Sequence, residues 1–118
     1  MATTPDVFII ETLSPDDEGN GRFEGSIISS LLKLHGKKTI YCYVRTRQQF
    51  IQAIEQFGNS GYRYLHISAH GNKHGLVTTN QDEIDYKDLA EILRPHIMTL
   101  PLKNVSLARC LNSRKDTT

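Results

Sequence analysis

Long apolar runs are missing from this chain of 118 residues. No window approaches the ~20 consecutive apolar residues that a membrane-spanning helix needs. The opening Met1-Ala2-Thr3-Thr4-Pro5-Asp6 has no charged start leading into an apolar stretch. These absences predict a soluble, cytoplasmic protein with no membrane partner. An excess of either charge is lacking too: 14 basic side chains against 13 acidic leave a net +1, and no block of five like charges occurs. There is thus no basic footprint for nucleic acid or anionic lipid. Cysteine is scarce, with two residues, and Cys42 sits in Ile40-Tyr41-Cys42-Tyr43-Val44, a setting for a buried thiol rather than half of a disulfide. A reducing compartment fits. The length suits one modest core, so a single domain over 1–118 is expected, and no internal repeat or low-complexity segment divides it.

What is present alternates. Val7-Phe8-Ile9-Ile10 is a short apolar run rich in β-branched residues, hence a strand buried on both faces. The polar segment Ser14 to Gly21 follows as a loop. From Arg22, apolar residues from Phe23 to Leu34 recur at helical spacing until Gly36 offers a C-cap. Thr39 to Val44 is a second strand, and Arg47 to Phe57 a second helix with Phe50, Ile51, Ile54 and Phe57 on one face. Tyr62 to Ala69 makes a third strand. The glycines and asparagine of His70-Gly71-Asn72-Lys73-His74-Gly75 predict a loop, and Leu76 to Thr79 with Glu83 to Asp85 a small hairpin beside the sheet. Asp85 then caps a helix from Tyr86 to Ile97, Pro101 ends that region, and a fourth strand starts at Val105. The order predicts an α/β fold with a mostly parallel sheet of about four strands and right-handed crossovers.

Three groups of residues carry candidate chemistry. Gly19-Asn20-Gly21-Arg22-Phe23-Glu24-Gly25 follows a strand and opens a helix, as a nucleotide-binding flavodoxin-like domain would require. Its third glycine is one position late, and Asp16, Asp17 and Glu18 would repel a pyrophosphate, so it reads as a flexible loop and a helix start. His66, His70 and His74 are spaced by four, but in a strand four residues span ~13 Å, too far to share one ion. No metal and no cofactor are expected. The third group is His70 and Cys110, each ending a strand in a sheet whose chemistry gathers at strand ends. A cysteine attacks as its thiolate and its leaving amine needs a proton, both of which an imidazole serves. Gly71, lacking a side chain, lets its N–H approach a carbonyl and join that of Cys110 against an oxyanion. Two readings stay open from residue types alone: a thiol dyad, or a structural histidine in a turn with a buried strand-end thiol.

The run Tyr62-Arg63-Tyr64-Leu65-His66-Ile67-Ser68-Ala69-His70-Gly71-Asn72, then a small turn, a helix with Asp88-Leu89 and a strand ending in Cys110, resembles the CHAT domains of the caspase-like cysteine peptidases, clan CD. The resemblance spans most of the chain. It implies a three-layer caspase-like/flavodoxin-like sandwich and a cysteine endopeptidase acting on a protein or peptide. His70 and Cys110 would form the catalytic dyad, and the N–H groups of Gly71 and Cys110 the oxyanion hole. Many such peptidases favour a basic residue before the scissile bond, which implies an acidic pocket; Asp16, Asp17 and Glu18 are its candidates, the other reading being a solvated acidic loop. The family usually has a small residue before its cysteine where this chain has Arg109, and caspase-like folds continue past the cysteine whereas eight residues follow here. The resemblance therefore implies a C-terminally truncated member. Its alternative function is that of a catalytically impaired interaction module, pairing with itself or a partner through an edge strand, Val105 to Leu111.

Overall fold

The computed structural model describes residues 6–97 and 104–111, with side chains in the last strand described at Val105 and Ser106. Strands β1 (Asp6–Thr12), β2 (Lys38–Tyr43), β3 (Tyr64–Asn72), β4 (Gly75–Val77), β5 (Glu83–Asp85) and β6 (Asn104–Leu111) form one sheet. Helices α1 (Pro15–Gly19), α2 (Glu24–Leu34), α3 (Arg47–Asn59) and α4 (Tyr86–Ile97) connect them. The chain is α/β. The four expected strands lie side by side as β2-β1-β3-β6, all parallel, with β3 between β1 and β6.

The sheet as a whole is mixed, and larger than the mostly parallel four strands expected. Beyond Ala69, β3 continues through His70, Gly71 and Asn72 and pairs antiparallel with β4, which pairs antiparallel with β5. The predicted loop from His70 to Gly75 is thus reduced to Lys73 and His74. Asn72 causes the tight reversal: its side-chain Oδ1 accepts from the His74 N–H at 2.8 Å, a local bond that lets the chain double back at once. Gly75 is required for a second reason. A Cβ there would run into the Ile84 carbonyl oxygen and the Asp85 Cα of the adjoining strand. Gly75→Ala should therefore cost about 2–4 kcal/mol, with hydrogen-exchange protection lost first in β4 and β5.

Local signals account for the helix ends. The Thr46 hydroxyl accepts from the Gln49 N–H, and Asp85, as expected, caps α4 by accepting from the Asp88 N–H at 2.7 Å. Gly36 sits at φ +73 just past α2, where its N–H and that of Lys37 reach back to Lys33 and Leu32. The polar segment after β1 is not all loop. Ser14 accepts from the Asp17 N–H, Pro15 starts the turn, and three acids occupy the positive end of α1.

Alternation along the strands divides the packing. Phe8, Ile10, Leu65 and Ile67 meet Phe50, Ile54 and Phe57 of α3 and Leu89 and Leu93 of α4, with the Phe8 and Phe57 rings edge-on at 5.7 Å. Ile9 and Glu11 turn the other way, toward α2, which approaches closely because Gly25 has no side chain: a Cβ there would lie 3.0 Å from Ile9 and 3.1 Å from Glu11. Pro101 lies outside the described residues. Among the described residues, no helix is long and apolar enough to cross a membrane.

Candidate active site

The two residues singled out at strand ends come together. In the β3–β6 pairing His70 is the register partner of Cys110, and Gly71 of Leu111. Parallel neighbours lie ~4.8 Å apart, so two residues forty positions apart in sequence become adjacent at the carboxyl ends of the sheet. His70 is half-buried, and its Nδ1 is enclosed without a hydrogen-bond partner among the described residues. An enclosed, unsatisfied ring nitrogen costs roughly 1–3 kcal/mol, so it calls for an explanation. The Cys110 and Arg109 side chains lie outside the described set.

Gly71 differs from expectation. It is buried inside β3 rather than at the head of a loop, flanked by Leu76 of β4 and Leu111 of β6. His70 likewise has β4 on one side, through Val77, and β6 on the other. The antiparallel hairpin thus fixes the strand end that carries the histidine.

The three acids do not act as a set. Glu18 is taken up internally: Arg45 holds it through Nη1 at 2.6 Å and Nη2 at 2.8 Å, and the Tyr43 hydroxyl donates to it at 2.7 Å. Asp16 is exposed. Asp17 alone faces a cavity, of about 330 Å³, together with Glu24, Ser68 and Ala69, the residues just before His70. Arg22 lines the same cavity, with its guanidinium 3.9 Å from the Asp17 carboxylate. Glu24 was missed in the sequence, where it reads as an ordinary first-turn acid; only the folding of α2 over the strand ends sets it beside Asp17.

A second missed residue is Glu11, fully buried at the end of β1. Its carboxyl group accepts from the Gly25 N–H at 2.7 Å, the Tyr41 hydroxyl at 2.6 Å and the Ser68 hydroxyl at 3.2 Å. Burial, and then the bond to Glu11, hold the Tyr41 phenol well above its ordinary value. Ser68 lies two residues before His70, so this network anchors the segment that carries the candidate histidine. The sequence did contain a signal, a glutamate directly after a continuous buried strand.

Cys42 is half-buried, with burial pushing its thiol up and Sγ 3.9 Å from Gln56 Oε1. His66 Nδ1 is 2.7 Å from Ser106 Oγ while its Nε2, like His70 Nδ1, is enclosed without a partner among the described residues, and His74 is exposed in the turn.

Arg45, and then Tyr43, hold the Glu18 carboxyl below the usual carboxylate range. With the folded value depressed, this group stabilises the fold above its unfolded pKa, and that contribution is lost as pH falls through the folded value. Glu18→Gln should therefore flatten the acid limb of a plot of urea midpoint against pH, with added salt shrinking the difference because the Arg45 side chain is half-exposed.

No protein-family model matches the chain, and no curated protein matches it, so the reading of this site rests on its own geometry.

Proposed function

We propose that the chain is a cysteine endopeptidase of the CHAT, caspase-like type, with Cys110 as nucleophile and His70 as general acid and base. The single observation that carries this reading is the register of His70 against Cys110 at the carboxyl ends of neighbouring parallel strands. In the proposed reaction His70 takes the Cys110 proton as sulfur bonds to the scissile carbonyl carbon, and the N–H of Cys110 receives the oxyanion, Gly71 being enclosed between β4 and β6. The C–N bond then breaks, with the proton passing from the imidazole to the leaving amine. Water, deprotonated by the same imidazole, displaces the thiolate from the acyl-enzyme. No cofactor takes part. Packing of α3 and α4 on one side of the sheet and α2 on the other supports the three-layer caspase-like sandwich that goes with this chemistry. The cavity lined by Asp17 and Glu24 is the proposed seat of a basic substrate side chain, which would take the place of the exposed Arg22 guanidinium beside Asp17, the apolar wall suiting its alkyl stem.

A second reading has its own observation: among the described residues β6 pairs with β3 alone. The outer edge of Val105 to Leu111 then recruits an added strand from a partner, and the domain is an interaction module. Reaction of the folded chain with a peptidyl acyloxymethyl ketone ending in arginine separates the two. Intact-mass analysis should find one adduct, on Cys110. No adduct, or one on Cys42 instead, would leave the interaction module as the better reading.

A further inference from the structure

Backbone hydrogen bonds deliver Arg22 to the mouth of the acidic cavity. Helix α1 closes on Gly21, whose φ of +70 reverses the chain. The Gly21 N–H donates to the Glu18 carbonyl at 3.1 Å and the Arg22 N–H to the Asp17 carbonyl at 3.0 Å. This is the Schellman pattern, which folds the second residue past the cap back against the last full turn of the helix. The contact it makes there is commonly apolar; here the residues are Arg22 and Asp17, with guanidinium and carboxylate 3.9 Å apart. On its other side the Arg22 carbonyl accepts from the Glu24 N–H at 3.1 Å as α2 begins. The backbone from which the guanidinium projects is therefore pinned at both peptide groups.

The two charged partners are unequally placed. The Asp17 side chain is 16% exposed and belongs to the cavity wall, whereas that of Arg22 is 69% exposed and stands at the opening. An ion pair so open to water holds weakly, because solvent competes for both ends. Arg22 is thus fixed at its backbone and displaceable at its guanidinium. The cavity is lined by two acids, Asp17 and Glu24, against this one cation, so one carboxylate is left in excess. Leu13, Ile27 and Ile28 line it as well, a surface on which an alkyl stem can lie. A cationic head on an apolar stem suits such a site, and the chain itself already presents one.

We infer that Arg22 is an internal competitor for this cavity: its guanidinium screens Asp17, and a basic substrate side chain binds by displacing it. The inference rests on the peptidase reading for the source of the competing side chain. Arg22 touches no reacting atom in this account. It raises the concentration at which a substrate with a basic residue before the scissile bond is taken.

Arg22→Gln keeps a stem and removes the charge. With the acyloxymethyl ketone ending in arginine, KI for inactivation should fall about 3–5-fold, the scale on which exposed ion pairs act, while the limiting rate of adduct formation on Cys110 stays the same. A probe ending in norleucine has no charge to compete and should show one KI for both proteins. Arg22→Lys restores the cation and should return KI for the arginine probe toward that of the parent. Binding is also read without reaction: on the Cys110→Ala chain, Nα-acetylargininamide, followed through the Ser68 and Ala69 amide shifts, should bind about 3–5-fold more tightly once Arg22→Gln is added. Should Arg22→Gln fail to fold, Arg22→Ala supplies the same comparisons. Unchanged KI and unchanged affinity overturn the inference, and the peptidase reading survives if Cys110 is still labelled. An equal fall in KI for the norleucine probe also overturns it, since Arg22 then obstructs by bulk. Tighter binding of the argininamide with no adduct on Cys110 upholds the competition and removes the peptidase reading instead.

Discussion

His70→Ala should slow acylation of Cys110 by a peptidyl electrophile by about 10²–10⁴-fold, the usual worth of a positioned general base, and Cys110→Ala should abolish it. The two act as a unit, so the double variant should be no slower than Cys110→Ala alone. The expectation rests on position: His70 and Cys110 are register partners, and His70 presents a ring nitrogen with no competing partner among the described residues. Cys42→Ala provides the internal comparison. Its thiol lies mid-strand and is pushed up by burial, so its loss should leave labelling unchanged. Stopped-flow or timed intact-mass measurements on the four variants decide the matter. A His70→Ala protein that reacts at the original rate removes the histidine from the mechanism, and one that reacts at Cys42 removes the dyad.

The second large effect concerns stability. Glu11→Ala should lower the free energy of unfolding by about 3–5 kcal/mol, a large fraction of the 5–15 kcal/mol typical of small domains. Three donors, the Gly25 N–H and the Tyr41 and Ser68 hydroxyls, converge on this carboxyl group inside the protein. Truncation strands the Gly25 N–H and the Ser68 hydroxyl away from water, each at a cost of about 1–3 kcal/mol before partial relaxation, takes the acceptor from the half-buried Tyr41, and leaves a cavity as well. Gly25→Ala offers a graded comparison: the added methyl presses on Ile9 and Glu11 without removing a bond, and α2 must shift by a few tenths of an ångström. A urea midpoint for Glu11→Ala within experimental scatter of the parent would show that the network does not hold α2 to the sheet. Because Ser68 precedes His70 by two residues, the same substitution should also slow labelling of Cys110 in whatever fraction remains folded.

Much of the architecture was legible because it follows from repeating patterns. The apolar run at Val7 to Ile10 and the helical spacing of Phe50, Ile54 and Phe57 needed only hydrophobic periodicity, as did the buried strand at Leu65 and Ile67. Gly36 as a cap and Asp85 as an N-cap were local signals with local causes. The hairpin at Glu83 to Asp85 was visible too, but not its membership of the sheet. That depended on Asn72 bonding its own turn and on Gly75 admitting the neighbouring strand. Clustered glycines look alike whether they open a loop or tighten a reversal.

The site divides in the same way. Residue chemistry selected His70 and Cys110 as candidates, and strand order made them neighbours in principle; their one-to-one register required the pairing of β3 with β6. The three acids at 16, 17 and 18 formed one group in sequence and three fates in space, because a single helical turn sends successive side chains in different directions: Glu18 toward Arg45 and Tyr43, Asp17 toward the cavity, Asp16 into solvent. The sequence by itself determined the α/β alternation, the near-neutral charge and the residues capable of thiol chemistry, since these depend on composition and on spacing along one chain. Only the tertiary structure decided that the sheet is mixed, that Glu11 gathers three distant donors, and that Glu24 joins Asp17, because each requires contacts between segments whose separation no local pattern encodes.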